Sequence, residues 1–171
     1  MGVSLVAEQG QIFGVGLALD SEEVYFIPVE GLLTENYLCG KLQQLLQKSS
    51  HGALTICSMD VKSMLKYVDG EDFGEIFDTG VAAYLLNPLK NDYTYEDVAR
   101  EQLGLMTRSD KGSSEWTKSC YEAYTAYAAS EKLMENSKRS RWTGCFWKLR
   151  CRLFLPYLIW NRLGCALRLR S

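Results

Sequence analysis

Histidine is almost missing from this chain of 171 residues: His51 is the only one. It sits in a Ser-Ser-His-Gly loop and reads as a surface residue, not a general base. No Ser or Cys has a recognisable histidine partner, so no Ser–His or Cys–His nucleophile pair is indicated. The six cysteines contain no C-x-x-C pair and no regular framework. That argues against zinc and disulfides and for reduced thiols in the cytosol. No apolar run approaches the roughly 20 residues that span a bilayer, and no signal peptide is expected at the start. The expectation is a cytoplasmic protein with no membrane partner. Acid is missing from one end. Residues 1–137 hold all 21 acidic residues against ten Lys and Arg, a net charge of −11. Residues 138–171 hold nine Lys and Arg and no acid, a net charge of +9. The whole-chain value of −2 conceals this division and by itself implies no overall pull toward nucleic acid.

What is present is the composition of a folded domain. Hydrophobic residues make up 47% and aromatics 12%, and the length suffices for one domain with a real core. Residues 3–8, 11–19 and 23–28 carry β-type patterning, separated by Gly10 and by Asp20-Ser21, and predict an antiparallel meander. Gly14 and Gly16 lie on one strand face, where a neighbouring element could approach closely. They are no dinucleotide fingerprint, because no helix follows and the third Gly is missing. Thr34 caps a predicted helix over 35–48, with Leu38, Leu42, Leu45 and Leu46 on one face. Residues 53–57 read as a buried strand, 60–67 as a helix and Asp69-Gly70 as a turn. A helix over 113–137 would turn Trp116, Cys120, Tyr124, Tyr127 and Leu133 toward the core.

Residues 77–88, FDTGVAAYLLNP, organise the rest. Asp78 stands where a strand ends and a helix begins, and an Asp there accepts from an orphan N–H of the first turn. Val81, Ala82, Leu85 and Leu86 recur at helical spacing, and Leu85 is expected to be buried against the sheet. Pro88 stops the helix. Residues 87–92 read as a loop. A second helix opens at Thr94, with Asp97 as its capping-box partner, and closes at Gly104. The order of strands and helices predicts an α/β fold, a mixed sheet with flanking helices.

The stretch FDTGVAAYLLNPLKNDYTYEDVAREQLG resembles the middle of the 3′–5′ exonuclease domain of bacterial family A DNA polymerases, DNA polymerase I. The likeness runs from about Val3 to about Ser137, which makes residues 1–137 the exonuclease-like domain. It is closest to the Firmicute type, whose domain is often a catalytically dead remnant. It implies a ribonuclease H-like mixed sheet, an antiparallel meander plus parallel strands. It also implies a proofreading-type role in DNA replication and repair, with DNA and the polymerase domain of a parent protein as partners.

Active members use two divalent cations about 4 Å apart to activate water and steady the leaving oxygen, and Mg²⁺ or Mn²⁺ would serve here if the site were active. The family's ligands are an Asp-x-Glu pair on the first strand, an Asp on the helix after the fourth strand, and the Asp of a Tyr-x-x-x-Asp motif on the last helix. The first pair falls on Val6-Ala7-Glu8, leaving Glu8 alone. The family's Asn-x-x-x-Asp falls on Asp60-Val-Lys-Ser-Met64, with Asp60 in the Asn place and Met64 in the ligand place. The last motif falls on Tyr127-Ala-Ala-Ser-Glu131. The candidate catalytic residues are therefore Glu8, Asp60, Tyr127 and Glu131, and the candidate metal ligands Glu8 and Glu131. Two of the four ligand carboxylates are gone. The expectation is an inactive, structural domain without a cofactor; a weak two-metal exonuclease is the alternative. Each residue also has an ordinary reading: Glu8 is solvated at a strand end, Asp60 caps its helix, and Glu131 lies on a helix surface.

Residues 138–171 break the resemblance. They carry three of the four tryptophans and three of the six cysteines, and their apolar residues fit neither period 3.6 nor period 2. The segment is either a frameshifted remnant of the start of the polymerase domain or a basic aromatic tail for nucleic acid or a membrane surface. One back-translation permitted for residues 145–168, read in another frame, resembles the segment that opens the family's polymerase domain. This favours the remnant.

Overall fold

The computed structural model describes residues 1–49, 54–68, 76–90, 93–106 and 114–139, with side chains to Asn136. His51, the Asp69-Gly70 turn and the segment from 140 onward lie outside the described residues. The chain divides into two units, Met1–Glu135 and Asn136–Ser171, and the first holds every described strand.

Three strands form the expected meander: β1 (Gly2–Glu8), β2 (Gln11–Ala18) and β3 (Val24–Pro28). Gln9 and Gly10 both have positive φ, at 50° and 87°. Two such residues make the turn whose twist matches a tight hairpin. The second turn is held by Asp20, whose Oδ1 accepts from the N–H groups of Glu22 and Glu23, each at 2.8 Å. Two short strands complete the sheet, β4 (Ile56–Ser58) and β5 (Ile76–Asp78). The order is β3-β2-β1-β4-β5, antiparallel from β3 to β1 and parallel from β1 to β5. This is the mixed α/β architecture read from the sequence, and it agrees with a ribonuclease H-like arrangement.

Helix α1 (Glu35–Ser49) starts where Thr34 Oγ1 accepts from Tyr37 N at 3.3 Å. Leu38, Leu42 and Leu46 are buried as expected, and Leu45 is half-buried. The predicted helix over 60–67 is shorter, α2 (Val61–Leu65), because Asp60 stands outside it as N-cap. Helix α3 (Thr79–Leu86) is capped by Asp78. The Asp78 carboxylate serves two helices: Oδ1 accepts from Val81 N at 2.8 Å, and Oδ2 from Val61 N of α2 at 3.1 Å. A short α4 (Tyr95–Val98) has the predicted Thr94–Asp97 capping box. It continues as a π-helical turn, Ala99–Leu103, that ends at left-handed Gly104.

Two predicted faces differ from those observed. In α3 the buried residues are Thr79, Ala82 and Ala83, while Val81 is exposed and Leu85 and Leu86 are half-buried. Contacts at the helix start set this rotation. Thr79 Oγ1 donates to Ala126 O at 3.3 Å, and a Cβ on Gly80 would meet Met59 O at 2.7 Å. In the last helix, α5 (Glu115–Arg139), the buried side is Ser119, Ala123, Thr125, Ala126, Ala129, Ser130 and Leu133. The large residues Cys120, Tyr124 and Tyr127 are only half-buried. Trp116 is 54% exposed and stacks on Phe26, with ring centroids 5.3 Å apart. Closeness to the sheet explains the choice: a Cβ on Gly2 would collide with the carbonyl of Ala123, and one on Gly16 would lie 2.6 Å from Ser119 O. Only small residues fit such a seam.

Asp78→Ala removes two helix caps and should cost about 2 kcal/mol or more by denaturant unfolding; a loss below about 0.5 kcal/mol would show that the double cap adds nothing. Gly16→Ala should destabilise, whereas Gly40→Ala, in α1 with nothing within 4 Å of its added Cβ, should gain about 0.5–1 kcal/mol. Equal effects at the two glycines would contradict the tight seam.

Candidate functional site

Beside the middle of β1 and the carboxyl end of β4 lies an open cleft of about 690 Å³. One wall is strand β1 with Ser4, another is the start of α2 with Asp60, Ser63 and Met64, and the far walls are Tyr93–Glu96 and α5 with Lys118 and Glu122. A smaller hollow of about 290 Å³ adjoins it along β1, lined by Val6, Glu8, Glu115 and Lys118 among others.

Each carboxylate of the larger cleft accepts a hydrogen bond from a hydroxyl of the same chain. Ser4 Oγ donates to Glu122 Oε2 at 2.7 Å. Ser63 Oγ donates to Asp60 Oδ2 at 2.6 Å, and Ser63 N to Asp60 Oδ1 at 3.0 Å. Tyr95 OH donates to Glu96 Oε1 at 3.2 Å. Burial, and then the negative charge of Glu96, push the Tyr95 phenol up to about 12, so it stays a donor at ordinary pH. The first of these bonds joins parts of the chain 118 residues apart, and a second bond supports it: Ser119 Oγ donates to Ser4 O at 3.3 Å.

The residues singled out in the sequence are distributed unevenly about this geometry. Asp60 lines the cleft, and Met64, which is buried, forms part of its wall. Val6 and Glu8 belong to the smaller hollow, with Glu8 exposed at the strand end. Tyr127 packs beside Gly2, and Glu131 is exposed more than two turns beyond Glu122; neither lines either hollow. The acid that α5 brings over β1 is Glu122, and the β1 residue beneath it is Ser4. Sequence reasoning missed both. The available signal was the run of small residues at 119, 123 and 126, which marks the face of α5 that meets the sheet and so carries Glu122 toward β1.

The cation chemistry implied by the resemblance can be tested against these donors. Divalent hard cations need several oxygens free to converge on one point. Here β1 offers a hydroxyl at Ser4, an alkyl group at Val6 and a lone carboxylate at its exposed end, Glu8, while Asp60 and Glu122 already accept hydrogen bonds from hydroxyls. Among the described residues no group of three or more His, Cys, Asp or Glu is placed to hold a metal ion. This donor set does not fit a pair of divalent cations.

The far wall of the cleft is secured by an ionic cluster. Lys90 Nζ lies 2.7 Å from Asp97 Oδ1 and 3.1 Å from Glu101 Oε1, and Arg100 reaches Asp97 Oδ1 at 2.6 Å. Tyr93 OH donates to Asn87 O at 2.6 Å. The hydrogen bond from Lys90 leads in drawing the Asp97 carboxyl down from 3.8 to about 2. A depressed folded-state value gives stability that is present above the unfolded value and lost as pH falls through the folded one. The contribution of Asp97 should therefore be full above about pH 4 and fade toward about pH 2. Thermal unfolding against pH checks this: Asp97→Asn should flatten the acid limb, and an unchanged limb would assign it to other groups.

No family model and no curated sequence matches the chain. Among solved structures, the chain is similar to the POL domain of Pol1 from M. smegmatis, in complex with DNA primer-template and dNTP, with a TM-score of 0.53 and 19% identity. The match covers 81% of this chain and 24% of that one, so the chain spans well under half the length of this neighbour. At this identity the likeness is one of fold.

Proposed function

We propose that the chain is a piece of a DNA polymerase I: a 3′–5′ exonuclease-like domain without nuclease activity, structural within a longer cytoplasmic enzyme. The observation that carries this reading is the state of the cleft, where every lining carboxylate already holds a hydroxyl of its own chain. The fold likeness to a polymerase structure supports the family, and that neighbour's primer-template supports DNA as the partner of the intact enzyme. The sequence resemblance supplies the exonuclease assignment and the degenerate site. On the same reading, residues 138–171 are a frameshifted remnant of the polymerase domain's opening, which the source DNA around codon 138 would reveal.

The test is degradation of 5′-labelled single-stranded DNA by the purified chain in Mg²⁺ or Mn²⁺. The expected rate is that of a heat-denatured control. Metal-dependent digestion abolished by Asp60→Asn or Glu8→Gln would overturn the reading and establish the weak exonuclease instead.

A further inference from the structure

We propose that the Ser4–Glu122 hydrogen bond is an internal contact that takes the place of a bound cation, tying the last helix to the central strand and keeping divalent metal out of the cleft. The inference rests on the reading of the cleft as non-catalytic and adds what its acid does instead. Three observations carry it. The bond is short, 2.7 Å, and runs from a serine only 6% exposed. A hydroxyl–carboxylate bond of this length is charge-assisted and stronger than a neutral one. Ser4 is held from both sides, because its carbonyl also accepts from Ser119 Oγ one turn earlier on the same helix. The bond lies in the seam where Gly2 meets Ala123 and Gly16 meets Ser119, so it fixes the helix at its closest approach to the sheet.

A free acid in a vacated metal site destabilises its fold through charge repulsion, and a cation relieves that cost. An acid serving as a tie does the reverse: removing it loosens the fold, and a cation can bind only by breaking the tie. The two cases differ in sign, which makes them separable.

Thermal unfolding of the full chain and its variants distinguishes them. Ser4→Ala and Glu122→Ala should each lower Tm by about 2–8 °C, and the double variant by clearly less than their sum. The unaltered chain should show no upward Tm shift in about 10 mM Mg²⁺ or Mn²⁺, because no cation site stabilises the folded state. Additive losses, or a saturable upward shift with cation, would overturn the proposal. Should Glu122→Ala fail to fold, Glu122→Gln keeps an acceptor for Ser4 and removes the charge. It should leave Tm unchanged or lower it, whereas a raised Tm would identify a relieved carboxylate and sink the idea. Nuclease activity alongside non-additive losses would defeat the proposed function but leave the tie standing. Additive losses without nuclease activity would do the opposite.

Discussion

The seam between α5 and the first hairpin sets the rest of the structure. Two glycines on one sheet face let the helix backbone come so near that Ser119 and Ala123 are the largest side chains the contact admits. Large residues are pushed to the flanks, where Tyr124 and Tyr127 are half-buried and Trp116 finds Phe26. The gain is van der Waals contact between backbones, each pair small and the sum large. The geometry it imposes matters more. Once the helix is seated, Glu122 stands over Ser4, and the cleft acquires its α5 wall.

The other side of the molecule is organised by Asp78. A carboxylate with two oxygens can satisfy two donors, and here these belong to the first turns of different helices. The ends of β4 and β5 are thereby locked to the elements that follow them. Asp60, one turn away, is occupied by Ser63 and opens the cleft wall on that side. The two acids behave alike as caps, which is the ordinary use of Asp at a helix start.

What could be read from the sequence was whatever rests on neighbours in the chain. Asp78 before an apolar helix, Thr94 with Asp97, Gly104 at a helix end and the β-type patterning of the first three segments are local signals, and each is realised as a cap, a helix end or a strand. Gly14 and Gly16 announced a close approach without saying of what; the partners are the Phe26 ring and Ser119. The rotation of a helix about its own axis was not legible. Periodicity assigned Leu85 and Tyr127 to the core, and the family motif assigned Tyr127 to the site. The faces of α3 and α5 are instead decided by steric contacts with elements distant in the chain, at Gly80 and at the glycines of β1 and β2. The same blindness hid Glu122, because an exposed-looking acid becomes a cleft residue only through its helix's docking. The π-helical turn at Ala99–Leu103 also left no mark in an otherwise regular helical pattern.

The central position of β1 has a consequence for the order in which the domain can assemble. The strand precedes the other elements of the domain and can pair with β2 through a two-residue turn, a contact that costs little loop entropy. Its other neighbour, β4, comes more than 50 residues later, and the helix that covers its face begins at Glu115. Until β4 is made the parallel side of β1 has no partner, and until α5 emerges from the ribosome the glycine-bearing face of the meander has no cover. The domain is therefore rich in contacts between distant segments, the kind that slow folding and leave sheet edges open while they form. A cleft whose wall is tied on by a bond across 118 residues is among the last features to appear, and a nascent chain stopped short of α5 would present a sticky sheet in its place.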